Sequence, residues 1–211
     1  MAEAPRRFVT LEGIDGSGKS TLSSALRRLL EARGEQALFT REETPTFVGE
    51  AVKRSIEERM HPLTTCYLFL ADRAEHLREV VPVLADGRLV VSDRYHDSTR
   101  AYQAVTLAGF FHSVEAYEAW LRLHTEPWLV VPERTYLIDV PAEVAGGRLE
   151  AARQKTTAYE KVAFLDKVRS EYLRIAKEEP ERIMVLDGLR TPDDLAAAVI
   201  ADLEATGLLA R

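Results

Sequence analysis

Residues Gly13 to Ser20 read Gly-Ile-Asp-Gly-Ser-Gly-Lys-Ser and fit the spacing G-x-x-x-x-G-K-[ST]. That pattern is specific, since in a chain of 211 residues it arises by chance on the order of 1% of the time. Its chemistry is anion binding: glycines let backbone N–H groups converge on phosphate oxygens, and the N-terminus of the following helix adds the positive end of its dipole. Lys19 reaches the β and γ phosphates, and Ser20 can ligate Mg²⁺. The bend is read as binding a nucleoside triphosphate through Gly13, Asp15, Gly16, Ser17, Gly18, Lys19, Ser20 and Thr21. The chain has no Asn-Lys-x-Asp or Thr-Lys-x-Asp segment for reading guanine, so ATP is the expected nucleotide.

A second anion site is expected at Val91-Ser92-Asp93-Arg94-Tyr95, where an acid and an arginine follow a buried apolar run. Arg94 can fork two hydrogen bonds to a phosphate. Asp93 can hold the water shell of a metal or orient the arginine. Further along, Phe69 and Arg73 stand four residues apart on one predicted helix face, where a ring and a guanidinium side by side could stack on a nucleobase and donate to its carbonyl.

These residues need a frame that brings loops to one edge. Short apolar runs at Phe8 to Leu11, Ala37 to Phe39, Leu89 to Val91, Tyr136 to Val140 and Ile183 to Leu186 alternate with helical periodicity. The alternation predicts an α/β fold of three layers, with a central five-stranded parallel sheet and helices on both faces. Ligands then bind at the carboxyl ends of the strands. Helices are predicted from Leu22 to Gly34, over 47–59, from Pro62 through the seventies, and over 113–124, 159–178 and 192–205. The length suits one domain, 1–211.

Bulk composition narrows the partners. A formal net charge of -6 argues against a general nucleic-acid binder. The single cysteine, Cys66, excludes an intrachain disulfide and fits a reducing cytoplasm. No apolar run reaches the roughly 18 to 20 residues of a membrane span.

Several stretches together resemble the thymidylate kinases of the P-loop nucleoside monophosphate kinase superfamily. They are Phe8 to Thr21, Arg41-Glu42 with Gly49-Glu50, Leu68 to Arg73, Val91 to Tyr95, Ser98, Ala101-Tyr102-Gln103 and Leu137 to Val140, in the expected order over nearly the whole chain. The resemblance implies transfer of a phosphoryl group from ATP, with Mg²⁺, to dTMP, by a homodimer joined through helices. It also implies roles. Phe69 would stack on thymine, Arg73 would donate to a base carbonyl, and Ser98 or Gln103 would touch the base edge. Tyr102 would crowd the sugar C2′ position and so favour deoxyribose, Arg41 and Arg94 would grip the dTMP phosphate, and Asp15 would lie between the loop and the acceptor nucleotide. Tyr159 is a further expected substrate contact, and Ser20 and Asp93 are the metal candidates.

Two departures from the family pattern stand out. Where many bacterial members have Arg-Glu-Pro-Gly-Gly-Thr, this chain has Arg41-Glu42-Glu43-Thr44-Pro45-Thr46. The family also uses a catalytic arginine in the phosphate loop or in a mobile lid, and here Gly16 holds the loop position while Thr157-Ala158-Tyr159-Glu160 replaces the usual Asp-Arg-x-Glu. The lid is expected at about 146–161, with Gly146-Gly147 as hinges and Arg148, Arg153 and Lys155 as its cations; Arg153 is the expected catalytic one, beside Lys19, Arg94 and Asp15. Two other readings stay open at this level: a kinase for another deoxynucleotide or a nucleoside, and a nucleotide-binding regulator with a degenerate lid.

Overall fold

The computed structural model describes residues 7–153 and 158–210. Five parallel strands form one sheet in the order β2-β3-β1-β4-β5: β1 (Phe8–Glu12), β2 (Ala37–Arg41), β3 (Leu89–Asp93), β4 (Arg134–Asp139) and β5 (Ile183–Asp187). The predicted fold class holds. Strand β1 is buried along its full length because both faces are covered. Alternation along the strand divides its side chains between two cores. Val9 and Leu11 join Leu22, Leu26 and Leu30 of α1 (Lys19–Ala32) and Val199 and Leu203 of α8 (Pro192–Ala205) on one face. On the other, Phe8 meets Leu77 and Val80 of α3 (Pro62–Ala85). Each such side chain, fully withdrawn from water, contributes about 1.5–3 kcal/mol.

The remaining helices are α2 (Phe47–Glu57), α4 (His96–Thr106), α5 (Val114–Thr125), α6 (Ala142–Arg153) and α7 (Ala158–Glu178). Two of these differ from the expectation. Helix α4 was not foreseen; its first turn reads His-Asp-Ser-Thr-Arg, and Tyr95 at its N-cap makes no side-chain cap. Helix α6 takes in Gly146 and Gly147, which therefore sit within a helix and not at a hinge. At Gly146 the reason is space: a Cβ there would lie 2.8 Å from Val162 of α7.

The register brings the chemistry to one edge. Leu11 of β1 and Arg41 of β2 both stand opposite Asp93 at the end of β3. The carboxyl ends of β1, β2 and β3 therefore open into the same crevice, as a parallel sheet requires.

Candidate active site

One half of the candidate site is built by the turn from β1 into α1. Gly16 has φ +81°, and a Cβ there would lie 2.4 Å from the carbonyl oxygen of Ala145, so only glycine lets α6 close on the loop. Gly18 caps α1 with no side-chain bond, so no side chain competes with an anion for the first N–H groups of the helix. Lys19 is buried and donates to the carbonyls of Gly13 and Ile14, each at 2.9 Å. Burial pulls its pKa down to about 7, Arg94 acts the same way, and Asp93, Asp15 and Glu12 oppose the shift. Ser20 donates to Asp93 Oδ2 at 2.7 Å, so the two metal candidates touch. A hydroxyl and a carboxylate are oxygen donors of the kind Mg²⁺ takes alongside phosphate oxygens. Among the described residues no group of three or more His, Cys, Asp or Glu could hold a metal by itself.

Beside this loop lies a cavity of about 350 Å³ between α2, α3 and α4, and Asp15, Phe69, Arg73, Arg94, Ser98, Tyr102 and Gln103 all line it. Sequence positions up to 88 residues apart thus line one cavity. Arg73 is fully buried, and its Nη2 donates to Glu42 Oε2 at 2.6 Å, to Thr99 Oγ1 at 2.8 Å and to the Tyr95 carbonyl at 3.0 Å. Its Nε and Nη1 have no partner among the described residues. Two unsatisfied donors on a charged group in a cavity wall are costly unless a ligand accepts from them.

Arg94 joins the two halves. Its φ of +73° is a left-handed conformation that non-glycine residues seldom adopt, and such strain gathers at functional sites. Its Nη2 reaches Asp15 Oδ1 at 2.5 Å and the Tyr102 hydroxyl at 3.3 Å, while Nη1 reaches the Gly13 carbonyl at 3.2 Å and Ser98 Oγ at 3.0 Å. The Tyr102 hydroxyl also accepts from the Asp15 N–H at 2.9 Å. Burial pushes the Tyr102 phenol up to about 12, against the pull of Arg94.

Other expected residues fall differently. Arg41 is exposed at the end of β2, outside the cavity wall. Ser98 lines the cavity, yet its hydroxyl is taken up by Glu12 Oε2 at 2.6 Å as well as by Arg94. Arg148 lies against the phosphate loop, donating to the carbonyl of Ser17 at 3.1 Å and of Gly188 at 3.1 Å. The side chains of Arg153 and Tyr159 lie outside what the structure describes, and Lys155 lies outside the described residues.

Sequence reasoning missed two buried carboxylates. Glu42 holds Arg73 and also contacts His76 Nδ1 at 3.1 Å. Glu12, the last residue of β1, contacts the turn before α4, and burial followed by Asp97 pushes its pKa up to about 7. The only signal was an acid ending an apolar strand. The altered bend is held by Thr44, whose N–H and hydroxyl donate to Asp72 of α3 at 2.9 and 2.5 Å. Glu43 within it lines the cavity. Its pKa is raised by burial, with Arg94 and Arg41 opposing.

A family model described as thymidylate kinase matches residues 11–199. The chain belongs to the thymidylate kinase family. A probable thymidylate kinase of Methanoculleus marisnigri is 44% identical over 199 residues, covering 94% of each chain. One of Methanosarcina acetivorans is 42% identical over 196 residues, covering 92% of this chain and 93% of its own. One of Natronomonas pharaonis is 42% identical over 199 residues, covering 93% and 97%. For a thymidylate kinase family member the five-stranded parallel sheet and the phosphate loop at its carboxyl edge are the expected frame. Within the Glu43 to Thr46 bend, Glu43 lines the cavity and Thr44 is fastened to Asp72.

Proposed function

We propose that this protein transfers the γ phosphoryl group of ATP to dTMP, giving ADP and dTDP. One observation carries the reading: Arg94 bonds the Gly13 carbonyl of the phosphate loop while lining the cavity that holds Phe69 and the unpartnered donors of Arg73. A triphosphate on the loop and a nucleoside monophosphate in the cavity would meet at this guanidinium.

The chain's residues divide the task. The loop N–H groups and Lys19 bind the donor phosphates; a triphosphate would draw the Lys19 ammonium off the carbonyls of Gly13 and Ile14. Phe69 stacks on thymine and Arg73 Nε or Nη1 donates to a base carbonyl. Gln103 faces the base edge, and Tyr102 crowds the sugar. Arg94, with Arg41 from the end of β2, neutralises the acceptor phosphate, and Asp15 fixes Arg94. Ser20 and Asp93 would hold Mg²⁺, which supplies charge neutralisation of the donor phosphates when bound. The acceptor oxygen is already ionised, so positioning and charge neutralisation supply most of the rate and no general base is needed. On the lid side, Arg148 already lies on the loop, and Arg153 remains the proposed γ-phosphate cation in a closing segment over 146–161.

The protein is further proposed to act as a cytoplasmic homodimer; Tyr67 at 48% and Val81 at 45% exposure give α3 an apolar outer surface suited to helix packing. No helix among the described residues is long and apolar enough to cross a membrane. ADP release across dTMP, dUMP, dCMP, dGMP and thymidine tests the reading. It is expected to be fastest with dTMP, and equal rates with thymidine would overturn it.

A further inference from the structure

Glu12 is fully buried between the phosphate loop and α4, and its carboxylate takes four hydrogen bonds. Oε1 accepts from the Tyr95 N–H at 2.8 Å and the Ser98 N–H at 3.2 Å, and Oε2 accepts from the Ser98 hydroxyl at 2.6 Å and the Tyr172 hydroxyl at 2.9 Å. Of these donors, Ser98 lines the cavity beside the phosphate loop. Helix α4 makes no side-chain cap at Tyr95, so a residue 83 positions away satisfies its first N–H groups in place of the usual local cap.

The same two hydroxyls support Arg94. Its Nη1 reaches Ser98 Oγ at 3.0 Å and Tyr172 OH at 3.5 Å, and those hydroxyls lie 2.8 Å from each other. Arg94 itself sits in a left-handed conformation, which persists only where its surroundings hold it. Tyr172 comes from α7. One carboxylate therefore fastens the strand that ends in the phosphate loop, the turn that carries Arg94 and helix α7.

We propose that Glu12 is a positioning residue for the acceptor, acting through Ser98 and Tyr172 on Arg94 without touching substrate. The inference rests on the reading of Arg94 as the acceptor-phosphate arginine. A glutamine at position 12 would keep the shape. Its carbonyl could still accept from the two backbone N–H groups, but its amide would donate where Oε2 now accepts, forcing both hydroxyls to turn away from their present directions.

The test measures dTMP and Mg²⁺-ATP affinity by calorimetry, with steady-state KM and kcat, for the wild type, Glu12→Gln and Tyr172→Phe, each checked for folding by thermal melting. In both variants dTMP affinity is expected to fall at least fivefold more than ATP affinity, and in the double variant the two losses are expected not to multiply. A dTMP affinity within fivefold of wild type, or equal loss for both nucleotides, would overturn the proposal. If Glu12→Gln does not fold, Tyr172→Phe decides alone by the same criterion, since it leaves β1 untouched. Absence of dTMP-dependent ADP release from the wild type would count against the phosphotransfer reading instead.

Discussion

Lys19 shows how the donor side is poised. Its ammonium donates to the carbonyls of Gly13 and Ile14, and burial, with Arg94, holds the group at a pKa of about 7, whereas a triphosphate beside it would restore the charged form toward its ordinary value. Binding of ATP at pH 8 is therefore expected to take up a proton, visible as a dependence of calorimetric enthalpy on the ionisation enthalpy of the buffer. The sign follows from a folded pKa that rises on binding. Lys19→Ala should remove most of this uptake and lower turnover about a hundredfold or more, in line with the loss of one preorganised charge donor. On the acceptor side, Phe69→Ala should raise KM for dTMP roughly tenfold with little change in KM for ATP, since stacking of a base on an aromatic ring contributes about 1–3 kcal/mol. Arg73 is a poorer probe, because removing it strands the buried carboxylate of Glu42, and breaking a buried pair costs about 3–5 kcal/mol of stability.

At the scale of elements, the contact between the phosphate loop and α6 governs how the site closes. A Cβ at Gly16 would meet the backbone oxygen of Ala145, which has no rotamer by which to withdraw. Gly16→Ala should push α6 outward, with kcat several-fold lower and faster hydrogen exchange in the first turns of α6. Unchanged exchange there would show that the contact does not matter. This contact also explains what the sequence could and could not tell. The loop motif, the five strands and the Phe69–Arg73 pair were legible because each depends on residues near one another in the chain. Helix α4 was not, since its cap comes from Glu12. The hinge expected at Gly146-Gly147 failed for a related reason: glycine spacing suggests freedom, while the packing of Val162 against α6 requires a small residue. Glu42 and Glu12 escaped notice because a buried acid becomes functional only through partners 31 to 160 positions away.

Taken as a whole, the molecule carries a net charge of -6 yet concentrates Lys19, Arg73 and Arg94 at the carboxyl edge of one sheet. Local cations in a low-dielectric cleft can hold anions whatever the total charge. If α3 offers its apolar surface to a second copy, light scattering should give twice the chain mass, and replacing Tyr67 and Val81 by charged residues should shift the protein toward monomer. The most direct test of the central claim is the initial rate of ADP release with ATP, Mg²⁺ and dTMP together, compared with the same mixture lacking dTMP. A dTMP-dependent rate at least a hundredfold above the ATP-only rate is expected, with dTDP formed in equal amount. Binding of both nucleotides with no ADP beyond the ATP-only level would contradict it.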